Sequence, residues 1–147
     1  MKKLATFAFA LAAAAASPAF AGETPAPEGA KVYFVNLKDG DKVSGPVKIV
    51  FGLSGMGVAP AGIEKKNTGH HHVLINRPEL GKGEDGEEEF DLNLPADDNH
   101  KHFGGGQTEA TLDLPAGQHT LQLVLGDKDH IPHNPPIVSP RITITVE

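Results

Sequence analysis

Apolar and polar positions alternate along most of the chain. The alternation is plainest in Leu121, Leu123 and Leu125 and again in Ile142, Ile144 and Val146. A period of two means that one face of an extended segment meets a core while the other does not. The same pattern predicts strands at "KVYFVNL" (31–37), "PVKIVFGL" (46–53), "HHVLIN" (71–76), "EFDLNL" (89–94), "QTEATLDL" (107–114), "QHTLQLVLGD" (118–127) and "RITITVE" (141–147). Gly- and Pro-rich turns separate them, and residues 22–147 contain no convincing helical period. Short strands at this spacing predict an all-β fold, an immunoglobulin-like Greek-key sandwich of about seven antiparallel strands.

The first residues do not fit the pattern. Lys2 and Lys3 precede an apolar run from Leu4 to Ala16, and Ala19-Phe20-Ala21 spells a small-x-small cleavage signature. This is the form of a secretory signal peptide over 1–21, too short for the roughly 20 apolar residues of a membrane span. The expected product is soluble, periplasmic or secreted, and starts at about Gly22. Residues 22–30, "GETPAPEGA", predict a flexible Pro-rich linker ahead of one domain at 31–147.

Charge and sulfur narrow the chemistry. Losing Lys2 and Lys3 leaves 11 of the 13 basic residues against 19 acidic ones, a net charge of −8. Such a surface repels nucleic acid and anionic lipid. No cysteine is present, which removes disulfides and thiolate metal sites, and Met56 is the only sulfur beyond the leader. "GKGEDG" (81–86) has a dinucleotide-loop spelling but leads into Glu87, Glu88 and Glu89, which would repel a pyrophosphate. "GLSGM" (52–56) lacks the last glycine of a nucleophile elbow. The run Glu84–Asp91 lacks calcium-loop spacing and reads as a solvated face.

The histidines are the remaining chemistry. His70 and His72 share one face of a strand, about 6.6 Å apart at Cα, and His100-x-His102 repeats that spacing. With antiparallel strands in sequence order, the loops carrying His100, His102, His130 and His133 rise to the end where the His70 strand begins. Met56 comes with them, and His119 falls at the opposite end. Imidazoles at these positions can converge on one ion at about 2.0–2.1 Å per bond. Asp127 and Asp129 are candidate ligands or partners for ring N–H groups, and Glu109 is the one candidate base near that end. His71 should face the core with Val73 and Ile75, bonded to backbone, and His119 should serve a turn.

The segments "GMGVAPAG", "NTGHHHVLIN", "HFGGGQTEATLDLPAGQHTLQLVLGD" and "HIPHNPPIVSPRITITV" resemble a family of small secreted bacterial proteins defined by a domain of unknown function. The resemblance spans about residues 50–147 and supports export and the histidine segments, without supplying a substrate. The last two strands also resemble those of bacterial immunoglobulin-like domains, which bears on fold alone.

The expectation is a periplasmic, histidine-rich protein binding Cu(II) or Zn(II) at one end of the sandwich through His70, His72, His100, His102, His130 and His133. It would act as a carrier, buffer or sensor, since imidazole and carboxylate without thiolate suit these ions. The competing expectation is a non-catalytic recognition module for an envelope protein or glycan, its histidines linked to carboxylates. A metalloenzyme ranks third, and Gly22 at the new amino terminus disfavours a His-brace oxygenase.

Overall fold

The structure is a computed structural model that describes residues 22–147. The signal-peptide expectation over 1–21 therefore lies outside the described residues. Two sheets form a sandwich. The smaller contains β1 (Lys31–Phe34), β3 (Val47–Ser54) and β7 (Glu109–Leu112), all antiparallel, in the order β1-β3-β7. The larger is built on β8 (Gly117–Gly126), which pairs antiparallel with β5 (Thr68–Ile75) on one side and β9 (Ile142–Val146) on the other.

Two short strands fall in segments the pattern assigned to turn and loop. β2 (Lys42–Val43) adds to β9 and β4 (Gly57–Val58) adds to the start of β5, and both pair in parallel. The described residues thus contain nine strands rather than seven, and not all are antiparallel. No helix among them is long and apolar enough to cross a membrane.

Alternation explains the core. Val32, Val47, Ile49, Phe51 and Leu112 from the smaller sheet meet Val73, Ile75, Leu121, Leu123, Leu125, Ile142, Ile144 and Val146 from the larger. Burying each of the larger side chains stabilises the fold by about 1.5–3 kcal/mol. β5 and β8 break the alternation because both of their faces are covered. Leu74 and Val124, on the outward face, pack under Leu80, Leu94 and Phe90.

That cover corrects one predicted strand. "EFDLNL" does not pair; a 3-10 turn runs Gly86–Phe90 instead. Three glutamates, Glu87, Glu88 and Glu89, occupy its first turn, where negative charge suits the exposed N–H groups. Phe90 and Leu94, four apart, turn inward onto the sheet, while Leu92 is 51% exposed. The apparent alternation belongs to a segment lying over the sheet, not within it.

The third strand against β5 is β6 (His100–His102), in a segment read as loop. It pairs antiparallel along the edge beyond β4, with His72 opposite His102 and Leu74 opposite His100. Residues 22–30 are likewise not a free linker. Ala26 N–H donates to Asn134 O at 2.8 Å and Asn134 N–H to Thr24 O at 2.9 Å. The Thr24 hydroxyl donates to Asp127 Oδ2 at 2.6 Å. The amino-terminal segment is thereby strapped across the β8–β9 loop.

Candidate metal centre

The outward face of β5 carries His70, His72 and Leu74 in turn, as strand geometry requires. Across β8 the paired positions are Gly126, Val124 and Gln122, and across β6 His102 stands beside His72. The fourth imidazole arrives from the β8–β9 loop. His130 adopts a left-handed φ of 66°, uncommon for a residue with a side chain. Its backbone is pinned by N–H donation to Asp127 O at 3.1 Å and by Leu94 N–H donation to its carbonyl at 2.8 Å.

One nitrogen from each of His70, His72, His102 and His130 falls within 4.8 Å of the others, a spacing that a single ion can bridge. His70 Nε2 lies 3.0 Å from His72 Nε2 and 3.0 Å from His130 Nδ1. Donors at about 2.0–2.1 Å from a tetrahedral ion stand about 3.3 Å apart, close to these two separations. His70 and His72 are fully buried, while His102 and His130 are partly exposed and form the solvent side.

Electrostatics disfavours charge on His70, His72 and His102. Burial, followed by the neighbouring His130 and His102, lowers the pKa of His70 to about 4. Burial with His70, His102 and His130 lowers His72 to about 2. Burial and then His130 also lower His102. A crowded group of imidazoles cannot share positive charge cheaply, and only the neutral ring has a lone pair for a metal.

Two glycines make room for the rings. A Cβ on Gly126 would stand 2.8 Å from His72 Nε2, and one on Gly104 would stand 2.3 Å from His102 Cε1. Sequence reasoning missed both. The signal was present in "HFGGG" and "LGD", glycines adjoining a histidine pair and closing a strand opposite His70.

The other histidines are elsewhere. His100 lies one pair further along β6, opposite Leu74, with both ring nitrogens engaged: Nδ1 meets Asp97 Oδ1 at 3.2 Å and Arg77 donates to Nε2. Arg77 also pairs with Glu89 beneath the covering segment. His133 is fully buried, with its ring between the carbonyls of Leu125 at 3.3 Å and Thr68 at 3.2 Å. Neither joins the four. His71 faces the core, stacked on Phe51 at 4.8 Å, with Nδ1 directed at Gln107 O. His119 Nε2 donates to Pro115 O at 2.7 Å, and Asn76 donates to its Nδ1.

The expected supporting residues also have other partners. Asp127 accepts from Thr24 and from the N–H groups of Asp129 and Ile131. Burial pushes its carboxyl pKa up, but these hydrogen bonds prevail and hold it below the usual range. Asp127 shapes the His130 loop and does not bond to a ring N–H. Asp129 pairs with Lys128 on the surface, Glu109 with Lys48 at 3.2 Å, and Met56 packs against the sandwich core. The cluster lies on the outward face of the larger sheet, towards the end where β5 begins.

A family model described as a domain of unknown function, DUF4399, matches residues 49–147. The chain belongs to the DUF4399 family. The match begins in β3 and takes in all four clustered histidines of this DUF4399 domain. No curated protein and no solved structure matches the chain.

Proposed function

We propose that this is an exported protein that holds one divalent transition ion, copper or zinc, in the His70–His72–His102–His130 cluster and serves as a metal carrier, buffer or sensor. The observation that carries the reading is the convergence of four imidazole nitrogens within 4.8 Å. Buried histidines usually satisfy both ring nitrogens, as His119 does. His70 Nε2 and His72 Nε2, the nitrogens that turn into the cluster, have only other ring nitrogens as partners, and His102 Nε2 has none among the described residues. Rings gathered with no carboxylate hydrogen-bonded to them favour a metal over a hydrogen-bonded fastening.

Four protein donors also bear on catalysis. A catalytic zinc site keeps three protein ligands and an open position for water, whereas four donors fill a tetrahedral ion. Glu109, the base considered for hydrolysis, is turned to Lys48 on the smaller sheet. Holding and releasing an ion fits the site better than activating water. The partly exposed His102 and His130 supply the face through which an ion exchanges.

The test is elemental analysis and thermal unfolding of untagged, chelator-stripped protein. Binding to the folded state alone adds about 2.7 kcal/mol at a hundredfold excess of free metal over Kd. His70→Ala with His72→Ala should abolish that gain, and His119→Ala should retain it. A melting temperature unmoved by copper or zinc would sink the reading and return the cluster to a loop-fastening network beneath a recognition surface.

A further inference from the structure

The arrangement of the four rings contains more information than their proximity. All six ring-centre separations among His70, His72, His102 and His130 lie between 4.6 and 5.9 Å. Four points in a plane always include three that make a right angle or wider. Their longest separation is therefore at least about 1.4 times the shortest, as in the square arrangement preferred by Cu(II). Here the ratio of 5.9 to 4.6 Å is about 1.3, so the ring centres are not coplanar.

An imidazole's ring centre lies on the extension of its metal–nitrogen bond, about 3.2 Å from the ion when that bond is about 2.0–2.1 Å. A regular tetrahedron of such rings has centres about 5.2 Å apart. The observed separations fall on both sides of that value.

Resting on the metal-binding reading, we propose that the cluster is a tetrahedral four-imidazole site built for Zn(II), which holds Cu(II) only in a distorted geometry. Three of the ligands belong to hydrogen-bonded strands, His70 and His72 to β5 and His102 to β6, in fixed register. Flattening the group needs these strand-borne rings to move against that register. Cu(I) shares the tetrahedral preference but favours sulfur donors. The chain has no cysteine, and Met56 is packed against the core. Imidazole alone suits zinc.

The experiment loads the processed, untagged protein with Co(II), Cu(II) or Zn(II), one at a time. Co(II) should give the intense visible bands of a four-coordinate ion and lose them when Zn(II) is added. Bound Cu(II) should show the narrowed parallel hyperfine splitting of a distorted tetrahedral site. His102→Ala should weaken Zn(II) binding by more than about tenfold and fade the Co(II) bands, because water replaces the missing ring. His100→Ala should leave the spectrum unchanged.

Faint six-coordinate Co(II) bands with a tetragonal Cu(II) spectrum would overturn the zinc geometry and leave metal binding standing. Tighter binding of Cu(I) than of Zn(II) under reducing conditions would overturn the zinc assignment alone. Failure of all these ions to bind would overturn both this inference and the function on which it rests.

Discussion

At the scale of the residue, the least conspicuous positions test the site most cleanly. Gly126 stands opposite His70 on β8, and a methyl there would meet His72 Nε2 at 2.8 Å. Gly126→Ala should displace the donor nitrogen and, by overpacking, destabilise the fold by about 1–3 kcal/mol. Metal affinity should fall more than stability does. Paired calorimetric titration and chemical denaturation of the variant check this, and equal affinity to wild type would show that the ring has another place to go. Gly117 is a suitable control: it has a positive φ of 133° but open space around its Cβ position. Gly117→Ala should cost stability through backbone strain without changing metal affinity.

At the scale of the element, the β8–β9 loop presents His130 only because other segments hold it. Asp127 organises the turn from within, and Thr24 bonds that carboxylate from the amino-terminal segment at 2.6 Å. Thr24→Val removes a hydrogen bond to a charged group, worth about 1.5–3 kcal/mol. It should lower the melting temperature by several degrees and raise the rate of metal release, the latter measured by stopped-flow chelator competition. An unchanged release rate would mean that the loop is rigid without its strap.

The same elements show what the sequence made legible. β8 and β9 were readable because Leu121, Leu123, Leu125, Ile142, Ile144 and Val146 point into one core. The His70/His72 pair was readable because strand period is local. The 89–94 segment was not, since Phe90 and Leu94 pack on the sheet from outside and the spacing of one short run cannot distinguish the two arrangements. His100 and His102 looked equivalent at i and i+2, and they do share a face. One pair along the strand, however, Arg77 and Asp97 take both nitrogens of His100. Those partners come from outside β6, so spacing within the strand contains no trace of them. His133 misled for a similar reason: the carbonyls that flank it belong to β5 and β8.

At the scale of the whole molecule, buried neutral histidines make stability depend on pH, and metal changes that dependence. The pKa values of His70 and His71 are lowered from the ordinary 6.5 to about 4, His71 by burial despite its bond to Gln107, and that of His72 to about 2. Below pH 6.5 the unfolded chain takes up protons on these rings while the folded protein does not, so the unfolded state binds more protons and stability falls with falling pH. For His70 and His71 the loss accumulates between about 6.5 and 4, and for His72 it continues towards 2. Above pH 6.5 the contribution is fully present and the curve should be flat with respect to these groups. Zn(II) binds the deprotonated rings of the folded state, so the holoprotein should keep its melting temperature to lower pH than the apoprotein. His70→Ala with His72→Ala should flatten the part of the apo curve that these two rings cause, leaving the share of His71, and remove the separation between apo and holo curves. His71→Phe should flatten only part of the apo curve and leave the separation intact, since His71 faces Phe51 on the other side of β5. Melting curves from pH 4 to 8 with and without zinc distinguish the cases, and superimposed apo and holo curves throughout would mean that these histidines serve the fold alone.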